Sequence, residues 1–176
     1  IANDSSHTRI YRLKANLEQQ GVTNTIVIRK VGQGLWHDYP EYFDKVLVDV
    51  PCSMEGRIRF SDEKTYQDWS VKKVRDLQEI QKFLLRSAIS ATKPGGEIVY
   101  STCTLSIQEN EAVIDWILRK EAGKISLEDI VIDKVPWIPP LRDSAVKTLA
   151  ADIIKTKKLF PSPFFEGFYI AKLKKS

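Results

Sequence analysis

The sequence holds two cysteines, Cys52 and Cys103, two histidines, His7 and His37, and one methionine among 176 residues. A secreted scaffold held by disulfides carries more cysteine in a shorter chain, so that class is excluded. Two thiols and two distant imidazoles do not compose a zinc site, and no bound metal is expected. No apolar run approaches the roughly 18 residues of a membrane-spanning helix. No basic segment followed by a short apolar stretch marks a signal peptide. Internal repeats, low-complexity tracts and linkers are missing as well. What remains is an intracellular, cytoplasmic protein with two free thiols, expected to be a monomer. The composition agrees: 43% hydrophobic, 28% charged and 10% aromatic residues can build one globular core. A net charge of +4 is compatible with a polyanionic partner and only modestly favours one.

Along the chain, β-type and α-type patterns alternate. Residues 1–4 are short and apolar and end in a carboxylate. Ser5 or Ser6 can then cap a helix in which Ile10, Leu13 and Leu17 recur at helical spacing, and Gly21 stops it. Residues 25–29 (TIVIR) and 45–50 (KVLVDV) read as strands, the second stopped by Pro51. Residues 66–92 predict a helix with Leu77, Ile80, Leu84, Leu85 and Ala88 on one stripe. Pro94-Gly95-Gly96 turns the chain into a strand at 97–102 (EIVYST). A helix over 106–120, a weak strand at 127–132, a Pro-rich loop at 136–140 and a closing strand at 167–173 (GFYIAKL) follow. Such alternation implies an α/β fold, a mostly parallel sheet with helices on both faces. Ligands of such sheets sit at the carboxyl ends of the strands. Asp4, the run 49–52 and the run 101–104 fall there.

Two segments carry the chemistry. In VLVDVPCSMEGRIRF a strand delivers Asp49, then Pro51 turns the chain and presents Cys52. In PGGEIVYSTCTLSIQENE another strand delivers Cys103, followed by a helix with an acidic start. Each has a bland reading. A strand-end Asp caps helices, and a lone Cys is more often a small buried hydrophobe than a nucleophile. Two cysteines at the ends of two neighbouring strands, one beside an Asp, favour catalysis. Trp69 and Trp116 read as members of helical apolar faces, and His7 and His37 as surface residues.

Asp49-Val50-Pro51-Cys52-Ser53 resembles the D-A-P-C-S motif of the NOL/NOP/Sun family of RNA (cytosine-5) methyltransferases. Tyr100-Ser101-Thr102-Cys103-Thr104 resembles its Y-S-T-C-[ST] motif, and Glu109-Asn110-Glu111 its E-N-E extension. Ala2-Asn3-Asp4 with Arg9 is similar to its ribose-binding segment, and residues 167–171 to its closing G-F-F-I-A strand. The resemblance implies a Rossmann-like methyltransferase fold with an antiparallel closing strand, S-adenosylmethionine as cofactor and rRNA or tRNA as partner. It implies a nucleolar location if the source is eukaryotic. By resemblance, Cys103 is the nucleophile that adds to carbon 6 of cytosine, and Cys52 promotes the later elimination. Asp49 bonds the cytosine edge. Asp4, Asp49 and Pro51 contact the cofactor, and Arg57 and Arg59 grip RNA. Phe164 and Phe165 offer rings for stacking on a base, although lid packing is the commoner use of such residues.

Several features depart from the family pattern. Its first strand and Gly-rich loop belong ahead of Ile1, and the chain opens on Ile rather than Met. Residues 1–176 therefore read as a catalytic domain truncated at its N-terminal side, expected to lack one sheet neighbour and part of the cofactor pocket. The family's RNA-binding extension is missing too. Val31 stands where an adenine-bonding Asp is common, which is expected to weaken cofactor binding by about 1–3 kcal/mol. Met54 replaces a Gly and is expected to narrow the target-base pocket. A non-catalytic RNA-binding module derived from such an enzyme is the alternative function. A dithiol redox protein is disfavoured by the lack of C-x-x-C spacing.

Overall fold

Ser6 opens the first helix, its Oγ accepting from Arg9 N at 3.4 Å. The structure, a computed structural model, describes residues 1–141, 143–144 and 147–176, with the backbone alone at 143, 144 and 147. In chain order the elements are Ala2–Asn3 (β1), His7–Gln19 (α1), Val27–Ile28 (β2), Leu35–Asp38 (α2), Phe43–Asp49 (β3), Val71–Ala91 (α3) and Thr92–Thr102 (β4). Glu111–Lys120 (α4), Ile125–Glu128 (β5), Asp143–Ser144 (β6), Lys147–Thr148 (β7), Lys157–Leu159 (β8) and Phe168–Lys175 (β9) follow. β6 and β7 pair only with each other among the described residues.

The main sheet runs β3-β4-β9-β5, with β8 also on β9. β3 and β4 are parallel, with Asp49 opposite Ser101. β9 is antiparallel to β4, β5 and β8. Four of these five strands therefore point one way and β9 alone runs against them, the reversed closing strand expected, in a mixed sheet whose parallel pairing among the described residues is β3 with β4. Val48, Ile98, Tyr100, Tyr169, Ala171 and Leu173 form the buried face, packed with Leu85 of α3 and Ile114 and Ile117 of α4. The Val, Ile and Leu side chains among them each contribute about 1.5–3 kcal/mol by leaving water. The alternate residues face away: Glu97 takes ion pairs from Lys45 at 3.5 Å and Lys172 at 2.7 Å, and Leu47 is 70% exposed.

β1 and β2 form a separate parallel pair. Between β1 and β3 lies a cavity of about 580 Å3, walled by Ala2, Asp4, Leu13, Val48, Asp49 and Leu84. Neither β1 nor β3 has a strand partner on this side among the described residues.

Several elements differ from the sequence expectation. Only Val27–Ile28 of the segment 25–29 is paired, because its neighbour β1 is itself two residues long. α3 begins at the Ser70 cap, whose Oγ accepts from Lys73 N at 3.1 Å. Trp69 thus precedes the helix and bonds Glu55 Oε1 through Nε1 at 3.0 Å, rather than joining an apolar helical face. Ile80 is exposed, and the buried stripe of α3 includes Gln81 instead. α4 begins at Glu111, after a turn over 106–110. The expected strand at 127–132 forms earlier, at β5. The Pro94-Gly95-Gly96 turn lies within β4 as an irregularity, where Gly95 has φ +75° and the register with β3 shifts.

Candidate active site

β3 and β4 end side by side, and the parallel ladder makes its last bond from Val50 N to Ser101 O at 3.3 Å. Pro51 has no amide hydrogen to continue it. The two chains leave the sheet as loops carrying the thiols, and Cys52 Sγ meets Cys103 Sγ at 3.2 Å, both free. Asp49 stands just before this contact, its Oδ1 accepting from Ser101 Oγ at 3.1 Å.

The two thiols are not equivalent. Cys103 is lowered to about 7, first by the hydrogen bond from Cys52, against which burial works, and then by the positive charge of Arg57; the Asp49 charge opposes. Cys52 is raised by the same bond, by burial and by the charge of Cys103. The contact thus favours the thiolate at Cys103 and the protonated thiol at Cys52. A thiolate is the nucleophilic form of cysteine.

Glycines bring three backbones together here. Gly56 N donates to Cys103 O at 3.1 Å, and Gly167 N donates to Gly56 O at 3.1 Å. A Cβ on Gly56 would lie 2.5 Å from Gly167 O and 2.8 Å from Cys103 O. Met54 adopts φ +61°, a left-handed backbone that costs an L side chain about 1–2 kcal/mol. That conformation is the physical reason for the glycine of the resembling motif; the Met54 side chain itself is exposed.

Other expected site residues fall as follows. Asp4 and Asp49 line the same cavity, which Cys103 does not line; Asp49 joins the two regions, since its charge also reaches Cys103. Asp4 Oδ1 accepts from Ser6 N at 2.7 Å and Arg9 Nε at 3.0 Å, so it orders the start of α1 while facing the cavity. Pro51 is exposed, and its carbonyl accepts from Gln81. Arg57 pairs with Glu166 at 2.7 Å and acts electrostatically on the thiols. Arg59 is exposed on a turn whose backbone is tied to Thr65 Oγ1. Val31 is exposed and absent from the cavity wall. Phe164 is 88% and Phe165 40% exposed, so neither is core packing. His7 and His37 are exposed, and Trp116 packs on the core. Among the described residues no cluster could hold a metal, and no helix is long and apolar enough to cross a membrane.

Sequence reasoning missed Asn3, whose side chain bonds Lys30 N at 2.9 Å and Lys30 O at 3.0 Å, docking the loop after β2 beside β1. It also missed the buried residues behind the thiols: Gln81, Ser53, Thr104, and the individual contacts of Glu109 and Asn110. Polar residues on otherwise apolar faces were the available signal, and only Gln81 on the α3 stripe displayed it.

Solved methyltransferases share this fold. A methyltransferase homolog protein from Pyrococcus horikoshii superposes with a TM-score of 0.80 at 30% identity, covering 99% of this chain and 52% of that one. NSun6 from Pyrococcus horikoshii, solved with SFG, superposes at 0.78 with 28% identity, covering 99% and 40%. The fold is therefore the Rossmann-like methyltransferase fold. The family model for 16S rRNA methyltransferase RsmB/F matches residues 1–174, and the chain belongs to that family. Ribosomal RNA small subunit methyltransferase F of Aeromonas hydrophila subsp. hydrophila is 38% identical over 175 residues, 99% of this chain and 35% of its own length. The protein of the same name from Vibrio vulnificus is 36% identical over 176 residues, again 35% of its length. The chain thus spans about a third of the curated relatives it matches.

Proposed function

We propose that the chain is the catalytic part of an S-adenosylmethionine-dependent RNA (cytosine-5) methyltransferase that works through a covalent cysteine adduct, with ribosomal RNA as its substrate class. The observation that carries this is the thiol pair 3.2 Å apart, with Cys103 lowered to about 7. A binding module needs no such pair.

Carbon 5 of cytosine is a poor nucleophile, so one hard step is split into two. The Cys103 thiolate adds to carbon 6. The S–C6 bond forms, and the displaced π pair makes carbon 5 electron-rich, while Asp49 holds the base edge by accepting from its exocyclic amino group. Once carbon 5 carries the methyl group, its hydrogen leaves as a proton to Cys52. The C5–H pair restores the C5–C6 double bond as the S–C6 bond breaks, returning the Cys103 thiolate. Cys52 suits this timing. Its acidity is suppressed first by bonding to Cys103 and further by that thiolate's charge, and both causes vanish when Cys103 becomes a thioether. Once the adduct exists, Cys52 can therefore release its own proton to solvent, and the resulting thiolate takes the proton from carbon 5.

The cavity of about 580 Å3 has carboxylates at Asp4 and Asp49 and apolar walls, a fit for a nucleoside with free hydroxyls and a positive charge. Asp4, Asp49 and the neighbouring Pro51 would hold S-adenosylmethionine, which supplies the methyl group when bound. Arg59 and the exposed ring of Phe164 offer a phosphate contact and a stacking surface for RNA.

In the full-length protein, Cys103→Ala abolishes methyl transfer. Cys52→Ala leaves a protein–RNA adduct that survives denaturing electrophoresis. The reverse pattern would exchange the two roles. Unchanged turnover in both variants would leave an RNA-binding module as the better account.

A further inference from the structure

The chemistry above uses neither Glu109 nor Asn110, yet both are fully buried and their contacts converge on the thiols. Beyond the bond from Val50 to Ser101 the parallel ladder no longer sets the distance between the two loops. Glu109 holds Ser53, the residue after Cys52, and reaches Pro51 through Gln81. Its Oε2 accepts from Ser53 N at 3.0 Å, and its Oε1 accepts from Ser53 Oγ. Gln81 Nε2 donates to Glu109 Oε2 and to Pro51 O, each at 2.8 Å. Asn110 holds the residues flanking Cys103. Its Oδ1 accepts from Thr102 Oγ1 at 2.6 Å, and its Nδ2 donates to Thr104 O at 2.9 Å. Tyr100 OH fixes the pair by donating to Glu109 O at 2.6 Å, and the hydroxyls of Ser53 and Thr104 meet at 2.9 Å.

We infer that the adjacent residues Glu109 and Asn110 are the positioning pair of the thiol centre, Asn110 gripping both neighbours of Cys103 and Glu109 gripping Ser53 directly and Pro51 through Gln81, so that Cys52 is placed against Cys103. The inference rests on the reading of Cys103 as the nucleophile. The residue types follow from the donors they face. A carboxylate only accepts, so Glu109 can satisfy an amide, a hydroxyl and a side-chain amide together; glutamine would turn an N–H toward one of them. Asn110 must accept at one end and donate at the other, which a carboxylate cannot do. Burial raises the Glu109 carboxyl while the bonds from Ser53 and Gln81 hold it down, so its ionised form depends on this network.

The test is the pH dependence of iodoacetamide alkylation at Cys103 in the full-length protein, followed by peptide mass spectrometry and needing neither RNA nor cofactor. The wild type reaches half-maximal rate near about 7. Glu109→Gln moves that midpoint up by about one pH unit, toward an ordinary thiol and in step with Cys52→Ala. Leu127→Ala, a core truncation on β5, lowers stability without moving it. A Glu109→Gln midpoint equal to the wild type's overturns the inference. A wild-type midpoint near about 8.5 instead removes the thiol premise of the proposed function. If near-ultraviolet dichroism finds Glu109→Gln unfolded, Ser53→Ala and Asn110→Asp decide: each moves the midpoint up by a smaller amount, and no movement in either overturns the inference.

Discussion

At the scale of single residues, the site depends on side chains that are absent as much as on those present. Gly56 lies where the Cys52 loop, the Cys103 loop and the entry to β9 cross, and any Cβ there meets backbone on two sides. Backbone cannot swing aside as a side chain can, so Gly56→Ala must push the crossing apart. The expected cost is about 1–3 kcal/mol of stability, with a larger loss of adduct formation, because the Cys103 carbonyl is one of the atoms displaced. Gly34→Ala is the control, since nothing lies within 4 Å of a Cβ there. Thermal unfolding and adduct yield measured on both variants test the claim; equal behaviour would remove the crossing from the account. The motif spacing announced Cys52, Cys103 and Asp49 in the sequence. The need for glycine at 56 was not legible, because the atoms that forbid a side chain come from residues 103 and 167, far along the chain.

At the scale of elements, β8 matters most and was not read from the sequence. It is three residues long and carries Lys158, a residue type that argues against a buried strand. The lysine is buried because α4 supplies its partner: Lys158 Nζ lies 2.7 Å from Glu111 Oε1, and both side chains are almost fully enclosed. Lys158 also donates to Leu105 O at 3.3 Å, and Leu141 N to Glu111 Oε1 at 3.2 Å. Removing one ion leaves the other buried and uncompensated. Lys158→Met is therefore expected to cost about 3–5 kcal/mol in denaturant unfolding, and Lys158→Met with Glu111→Leu to recover most of it. A Lys158→Met loss below about 1 kcal/mol would mean that the pair contributes no more than a surface one. The longer elements were legible because their signals are local: α1 and α3 follow from periodicity and the second half of β4 from its apolar run, and Ser6 was one of two caps anticipated.

At the scale of the molecule, the gap between β1 and β3 decides what residues 1–176 can do by themselves. We propose that a parallel strand fills it in the whole protein, pairing with both edges and closing the cavity over Asp4 and Asp49. The motivation is the pair of unpartnered edges facing one cavity. Residues 1–176 by themselves are expected to bind S-adenosylmethionine so weakly that calorimetric titration does not saturate below about 1 mM. The full-length protein should saturate well below that. Micromolar affinity of residues 1–176 alone would show that the pocket is complete without a further strand.

The sequence by itself determined the α/β class, the strands that lead to Asp49 and Cys103, and the two thiols, because each is written in neighbouring residues; the reversed sense of the closing strand was implied by the resemblance alone. Only the tertiary structure decided that the two thiols meet and that their acidities are pushed apart. That difference arises from a contact across 51 residues, the nearby guanidinium of Arg57 and unequal burial. It likewise decided that Asp4 serves both a helix start and the cavity, and that Trp69 lies outside its expected helix. Glu109 and Asn110 could be read as a motif, but not as a clamp. Hydrogen-bond partners buried between elements leave no periodic trace in the chain that supplies them.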